Sequence, residues 1–434
     1  MAVYGRRRTG KTRLMTEFMK LNPEIPFLYF QCMSFDYQTC LSDFLSLAVQ
    51  LLPEPGLLQR AESFREAIDY LTNAFSGKLC IIIDEFPFLA KKHPDTVPEF
   101  QWIIDHGLHG KKLILLGSNH SFMAHQIQQY ESPLYGRFDE IIAVNPFTFI
   151  QTKSLYPSLE EAVLVYSMTG GVAQYIEFFQ RYKSVKSAIT SLFFLPDGRL
   201  VQEAPNMLMR EVRDLTTYER ILRTLGSTNK TISQIASQSG IEGKGLTPYL
   251  KRLQELGFIE PVANPLSSKK RDQRYRITDH IFRFYYTFIE PNMSVINALH
   301  ENAMPAVLES RYQEFLGFQY EDIIRENCYQ YAFDGRIPFM PSATGKWWGP
   351  IYKDETWQES EIDFIAYDRK NLLLGECKYH SKEVGLKELE DLKLKGQFVP
   401  SKDRELYYLL ASKNGFTDEL LSLSDPKVIL IDGI

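Results

Sequence analysis

The sequence predicts an α/β chain of several domains, led by a parallel sheet covered with helices and closed by a second α/β domain. Two observations carry this. Over residues 1–145, the apolar runs Ala2–Tyr4, Phe27–Gln31, Leu79–Ile83, Leu113–Leu116 and Ile141–Val144 alternate with amphipathic segments such as Leu41–Leu52 and Ser63–Phe75. That is the βαβα pattern of a helix-covered parallel sheet. Near the other end, two apolar runs flank the polar turn Asp368-Arg369-Lys370-Asn371, which reads as a hairpin. Between these parts, residues 146–213 read as helical, with breaks at Pro157, Gly170-Gly171 and Pro196. Residues 214–290 read as three helices and a hairpin. Residues 291–434 begin helical, pass a Gly/Pro/Trp-rich stretch at 335–350, and end strand, strand, helix, strand, strand.

Composition bounds the function. A chain of 434 residues that is 44% hydrophobic and 24% charged affords several cores and is not mainly disordered. Lys and Arg number 49 and Asp and Glu 54, a net charge of −5, so any nucleic-acid contact must come from a local basic patch. The five cysteines (Cys32, Cys40, Cys80, Cys328, Cys377) are scattered without a CxxC. This fits a reducing compartment and argues against secretion or structural zinc. No apolar run approaches the roughly 20 residues of a membrane helix. The opening residues turn polar at once, unlike a signal peptide. The expectation is a soluble cytoplasmic protein with no membrane partner.

The first chemical motif is Gly5-Arg6-Arg7-Arg8-Thr9-Gly10-Lys11-Thr12, a GxxxxGK[ST] match between a β-like stub and a helical segment carrying Leu14, Phe18, Met19 and Leu21. Glycines let the backbone wrap a phosphate with its N–H groups, and the helix N-terminus adds a positive dipole end. Candidate nucleotide-binding residues are therefore Gly5, Arg8, Thr9, Gly10, Lys11, Thr12 and Arg13. Lys11 would reach the β- and γ-phosphates of ATP, and Thr12 would hold Mg²⁺. The run Leu79–Ile83 ends in Asp84-Glu85. Asp84 can order the Mg²⁺ shell and Glu85 can polarise a water, which points to hydrolysis and not to binding alone.

With Val3-Tyr4 before the loop and Ile83-Asp84-Glu85-Phe86, the chain resembles the archaeal-type and bacterial AAA-like ATPases, the STAND-related branch with a C-terminal nuclease-like domain. The resemblance covers nearly the whole chain and implies a P-loop NTPase sheet with a helical lid. It makes Ser118 or Asn119, in Leu116-Gly117-Ser118-Asn119, the polar sensor of the γ-phosphate, and Asn119 is taken with the catalytic set. It also makes Arg137, in Ser132-Pro133-Leu134-Tyr135-Gly136-Arg137, the arginine that reads nucleotide state, the alternative being a surface arginine paired to Asp139 or Glu140. Two departures stand out. The family carries about two dozen residues before its first strand, whereas Met1 lies inside that strand here; either the true start lies upstream, or the chain is short, or the adenine pocket is incomplete. The family's Gly-Gly-x-Pro reads Gly170-Gly171-Val172-Ala173, so weakened ATP affinity is expected.

Residues 214–290 suit a winged helix-turn-helix. Glu219–Leu225 and Ile232–Ser237, the latter N-capped by Thr231, precede a third helix with the stripe Leu246, Tyr249, Leu250, Leu253, Leu256. Pro248 fits a first turn, and Gly257 stops the helix. Thr247, Lys251, Arg252 and Gln254 are left for the exposed face, and the hairpin carries Lys269, Lys270, Arg271, Arg274 and Arg276. Twelve basic against 8 acidic residues in this stretch reverse the sign of the chain, the footprint of phosphate contact. The alternative is a winged helix used only for internal packing. The aromatic run Phe282–Phe288 reads as helix core.

In the C-terminal hairpin, a symmetric turn pairs residues whose numbers sum to 739, placing Asp363 opposite Glu376 and Glu361 opposite Lys378 on one face. Opposed buried carboxylates repel and need a shared proton or a cation. Mg²⁺ suits them, and Lys378 could hold a hydroxide or stabilise a pentavalent phosphate. The pattern resembles the core of the PD-(D/E)xK nucleases, a restriction-endonuclease-like α/β fold. The resemblance implies Asp363, Glu376 and Lys378 as the catalytic set, with Glu321 on the helix Tyr320–Arg325 as an extra metal-binding carboxylate. The alternative is a Glu361–Lys378 salt bridge in a non-catalytic relative. Trp347-Trp348 reads as packing. The chain is thus expected to comprise an ATPase core (1–145, its N-terminal segment truncated), a helical lid (146–213), a winged helix (214–290) and a nuclease-like domain (291–434). ATP and Mg²⁺ are its cofactors, and nucleic acid and a second copy of the chain its candidate partners. Nucleotide state would gate the winged helix and the nuclease-like site; the alternative is a nucleotide-gated switch that does not cleave.

Overall fold

A computed structural model describes residues 1–434 apart from 35, 55, 263, 268–272, 310 and 434. Strands β1 (Ala2–Tyr4), β2 (Phe27–Gln31), β3 (Cys80–Asp84), β4 (Lys112–Gly117) and β5 (Ile141–Ala143) form a parallel sheet in the order β2-β3-β4-β1-β5. Helices α1 (Lys11–Leu21), α2 (Tyr37–Ala48), α3 (Phe64–Ala74), α4 (Phe86–Ala90), α5 (Thr96–His106) and α6 (His120–Gln128) lie between them. Both faces of the central strands are covered, which is why those strands read as unbroken apolar runs. Val3, Ile82, Ile114 and Leu116 meet α1 on one face. Ala2, Ile81, Ile83 and Leu115 meet the cluster around Phe44, Phe64 and Phe100 on the other.

Two expectations fail here. On α1 the buried apolar residue is Met15, while Leu14 and Leu21 are exposed, so the helix turns a neighbouring face to the sheet. The edge strand β5 also leaves Ile141 and Ile142 exposed.

The chain divides into two compact units: Met1–Pro146 with Val172–Tyr175, and the remainder. The second unit opens with helices α7 (Phe149–Lys153), α8 (Leu159–Thr169), α9 (Ala173–Gln180, its first turn in the first unit), α10 (Val185–Phe193) and α11 (Glu203–Glu211). Next come α12 (Leu215–Leu225), β6 (Lys230–Thr231), α13 (Ile232–Ser239), α14 (Gly243–Glu255), β7 (Ile259–Val262) and β8 (Arg274–Ile277), whose strands form a three-stranded antiparallel sheet. Thr231 caps α13 through a reciprocal capping box with Gln234. Leu246, Leu250 and Leu253 are the buried stripe of α14. Gly257, at φ 73°, follows the last turn as expected. Because α14 starts at Gly243, Pro248 lies inside the helix and not in its first turn; a proline there removes one intrahelical hydrogen bond.

Beyond α15 (His280–Phe284), the aromatic run continues as a π-helical turn, Tyr285–Ile289, whose rings are buried. Helices α16 (Met293–Leu299), α17 (Ala303–Leu308), α18 (Tyr312–Glu326) and α19 (Cys328–Phe333) lead into the last sheet. Its strands are β9 (Ala343–Lys353), β10 (Thr356–Tyr367), β11 (Asn371–Lys378), β12 (Glu405–Ser412) and β13 (Val428–Asp432), in the order β13-β12-β11-β10-β9. Helix α20 (Leu386–Gly396) joins β11 to the parallel β12, and α21 (Asp418–Leu421) precedes β13. The Gly/Pro/Trp-rich stretch proves to contain β9, where Pro350 is accommodated because β9 is an edge strand. All five cysteines are buried free thiols. No helix among the described residues is long and apolar enough to cross a membrane.

Candidate functional site

The Gly5–Thr12 loop is shaped by close backbone approach. A Cβ on Gly5 would lie 2.1 Å from the carbonyl oxygen of Val144, so only glycine fits there. Gly10 and Arg8 adopt φ of 98° and 70°. Thr9 Oγ1 donates to the Arg6 carbonyl at 2.8 Å and pins the turn. Helix α1 then starts without a side-chain cap and without an acidic residue in its first turn, so its N–H groups and dipole remain suited to an anion. Lys11 is buried, and its Nζ donates to the carbonyls of Gly5 (2.9 Å) and Arg6 (2.8 Å). Burial lowers its pKa, against the pull of Glu85 and Asp84. Arg13 is exposed on α1. From the first turn of α9, the Gln174 N–H donates to the Arg8 carbonyl at 3.2 Å. The Arg8 guanidinium stands 5.5 Å from the Tyr175 ring centroid.

The end of β3 faces this loop. Asp84 is buried, and its Oδ2 accepts from Thr12 Oγ1 at 3.0 Å and from the Tyr29 hydroxyl. Its Oδ1 accepts from the Glu85 N–H at 2.8 Å. Tyr29 escaped the sequence reading, since a tyrosine at that position of a strand carries no motif. Burial, with Asp84 beside it, raises its phenol pKa well above the usual range. Thr12 and Asp84 present hard oxygen donors side by side, a set that fits Mg²⁺. Glu85 sits at φ 56°, a left-handed conformation unusual for a non-glycine residue. Its Oε2 accepts from the Ser118 hydroxyl at 2.6 Å and the Ser118 N–H at 3.4 Å.

Of the two sensor candidates, the structure thus brings Ser118 to Glu85. Asn119 instead caps α6, its Oδ1 accepting from the Phe122 N–H at 2.8 Å. Arg137 is held by Asp105, its Nε 3.0 Å from both carboxylate oxygens, and not by Asp139 or Glu140.

In the C-terminal sheet the expected register is found: Phe364 pairs with Gly375 and Tyr367 with Leu372, each pair summing to 739. The ladder ends there, one pair before Asp363 and Glu376. The pairing of β10 with β9 shifts between Ile362 and Ile365, and such a bulge re-aims a side chain. Asp363 accordingly accepts the Cys377 N–H at 2.7 Å. Glu376 is buried and takes Lys378 Nζ at 2.6 Å and Lys395 Nζ at 3.1 Å. Glu321, on the longer helix α18, pairs with Lys346 of β9. Burial, then the charges of Glu321 and Glu376, pushes the Asp363 pKa well up. Burial likewise raises Glu321, although Lys346 opposes it. Burial works against the charge of Lys378, but Glu376 outweighs it and raises that pKa.

The metal-ligating set Glu321, Asp363 and Glu376 therefore does not form the expected cage. Among the described residues, no three His, Cys, Asp or Glu side chains converge as a metal-holding group. Lysines supply the cations instead, and the sequence reading missed two of them, Lys346 and Lys395, because they come from a different strand and helix.

The Glu361–Lys378 pair is absent as well: Glu361 pairs with Arg274. Arg276 is buried against Glu260 and Asp322, so neither of these hairpin arginines is a free phosphate-binding side chain. Lys269, Lys270 and Arg271 lie outside the described residues. Thr247 and Lys251 are exposed on α14 as expected, while Arg252 lies beside Glu211 and Glu255.

Comparison with known proteins finds an ATPase domain over the part of the chain that holds the first of these sites. A family of ATPase domains predominantly from Archaea matches residues 1–179. A family of archaeal and bacterial proteins of unknown function matches residues 285–390. An uncharacterized protein of Methanocaldococcus jannaschii is 32% identical over 431 residues, 95% of this chain and 90% of that one. A Walker-type ATPase of Pyrococcus abyssi superposes with a TM-score of 0.47 at 19% identity, over 66% of this chain and 90% of that one. The Aeropyrum pernix ORC2 protein does so with a TM-score of 0.43 at 14% identity, over 71% and 88%.

Proposed function

We propose, on the premise that the chain belongs to the family of archaeal-type ATPases represented along its length by the Methanocaldococcus jannaschii relative, that it binds and hydrolyses ATP at the Gly5–Thr12 loop and the end of β3. The observation that carries this is the 3.0 Å contact of Thr12 with Asp84, which joins the phosphate loop to a strand end where Ser118 orients Glu85. Backbone N–H groups of the loop and Lys11 bind the phosphates. Thr12 and Asp84 would hold Mg²⁺, which would supply charge neutralisation at the phosphates. Glu85 accepts the proton of the attacking water, and Ser118 keeps its carboxylate in place. Full-length chain should release phosphate from ATP, and Lys11→Ala should abolish this; undiminished turnover in that variant would overturn the assignment.

For the second unit, residues 214–290 are read as a winged helix and 291–434 as a PD-(D/E)xK-type domain with Asp363, Glu376 and Lys378 at its centre. In this reading, nucleotide state controls both, and nucleic acid is the partner. The lysine pairing of Glu376 and Glu321 favours a second reading, a nucleotide-gated switch without cleavage. Mg²⁺-dependent cleavage of plasmid and linear DNA, with and without ATP and beside Glu376→Ala, separates them. Cleavage lost in the variant supports the nuclease; ATP turnover without cleavage supports the switch.

A further inference from the structure

We infer that a tryptophan-lined cleft on the edge strand of the C-terminal sheet takes an unpaired base of single-stranded nucleic acid. This names the substrate class of the nucleic-acid reading above and rests on it.

The cleft has a volume of about 700 Å³ and is walled by Trp347, Trp348, Trp357 and Phe398, a size usual for small-ligand sites. Three of the four tryptophans of the chain meet here. Trp347 packs into the core, as the sequence suggested, but the others do not follow it. Trp357 is 66% exposed, its ring 5.6 Å from Tyr352 and 5.9 Å from Phe398. An aromatic group left open to water beside other rings is a platform for a flat π-system.

The polar groups fit a base. Asn264 lines the cleft and donates from Nδ2 to the Trp348 carbonyl at 3.2 Å. Its Oδ1 is buried without a hydrogen-bond partner among the described residues. A buried acceptor left unpaired is unfavourable unless a ligand donates to it. Glu359, at the same cleft, adds a second acceptor. Two acceptors beside a stacking surface suit the exocyclic amine of cytosine or adenine. In a duplex that amine is paired and the faces of the base are stacked, so only an unpaired base can enter.

Arg274 closes one side of the cleft: its guanidinium stands 4.4 Å from the Trp348 ring centroid and is held there by Glu361. The two acceptors, Asn264 Oδ1 and Glu359, favour a base with an exocyclic amine over a proline-rich peptide, whose prolines carry no N–H, although Trp-lined grooves also accept such peptides.

The test is anisotropy of a labelled 12-nucleotide mixed-sequence single strand and of the blunt duplex of the same sequence, titrated with full-length chain. Single strand should bind more tightly and quench tryptophan emission. Trp357→Ala should weaken single-strand binding about five- to 100-fold and leave duplex binding within about two-fold, since one base stack is lost. Trp357→Phe should restore most of it, and an unshifted Tm shows both variants folded. Single-strand affinity that is insensitive to Trp357, with nucleic acid still bound or cut, would overturn the cleft and leave the nucleic-acid reading standing. Absence of binding to either form would overturn both. Capture of a proline-rich decapeptide, lost in Trp357→Ala, would reassign the cleft to a peptide.

Discussion

Glu85→Gln separates hydrolysis from binding. The carboxylate does two things in the structure. Its Oε2 accepts from the hydroxyl and N–H of Ser118, and it is one of two carboxylates acting on the buried Lys11. Glutamine keeps an acceptor oxygen for Ser118 and the same length, so the left-handed end of β3 need not rearrange. Exchanging a charged for a neutral hydrogen bond changes stability by only about 1 kcal/mol. What is lost is the base. General-base catalysis contributes about 10²- to 10⁴-fold, which is about 2.7–5.4 kcal/mol in the barrier at ~1.36 kcal/mol per tenfold. Steady-state phosphate release at saturating ATP and Mg²⁺ should fall by that factor. ATP affinity, read by a fluorescent analogue, should stay within about three-fold, because Lys11, Thr12 and the loop are untouched. Turnover within three-fold of the parent chain would refute the role of Glu85. Turnover and binding lost together would show that it shapes the loop instead.

Three further outcomes follow from burial. Asp322 answers Arg276, Arg283 and Arg325, and Asp322→Asn removes this carboxylate from all three, leaving Arg276 with Glu260 alone; urea unfolding should show a loss of about 3–5 kcal/mol, and a change below 1 kcal/mol would contradict the network. Asp363 has a pKa raised well above its usual 3.8, so above that pH the folded state holds a proton that the unfolded chain has released. Stability therefore falls as pH rises from about 3.8 through the folded pKa, and Asp363→Asn should flatten the pH dependence of Tm in that window; a parallel profile would refute the shift. A Cβ on Gly375 would meet the Phe364 ring at 2.0 Å, so Gly375→Ala should cost about 1–3 kcal/mol by the same unfolding assay.

Much of this was legible where one short stretch carries both chemistry and geometry. The loop Gly5–Thr12, the strand ending in Asp84-Glu85, the Thr231 cap and the register of Phe364 with Gly375 all follow from local pattern. Failures arose where tertiary partners decide. Leu14 and Met15 are equally plausible as the buried face of α1 from spacing, and only the sheet selects Met15. Ser118 and Asn119 compete for one role, and helix capping claims Asn119 because an N-terminal turn needs an acceptor. Arg274 and Arg276 count as basic in the sequence, yet carboxylates 46 and 87 residues away take them. Strand β9 hid behind Gly and Pro, which an edge strand tolerates and a central one does not.

The second carboxylate site shows how charge decides between its two readings. Glu321, Asp363 and Glu376 face Lys346, Lys378 and Lys395, and Asp391 also reaches Lys395 at 3.6 Å. Asp363, which accepts the Cys377 N–H and is pushed up by burial, is the member disposed to keep its proton. Without that charge Glu321, Glu376 and Asp391 still answer the three lysines, so a divalent cation must drive a proton from Asp363 or displace an ammonium. As it stands the cluster is an ion-paired knot, and a cation-dependent reaction there would require the lysine pairs of Glu376 and Glu321 to part first. Mg²⁺-dependent DNA cleavage lost in Glu376→Ala would show that they do; ATP turnover without cleavage would leave the knot structural.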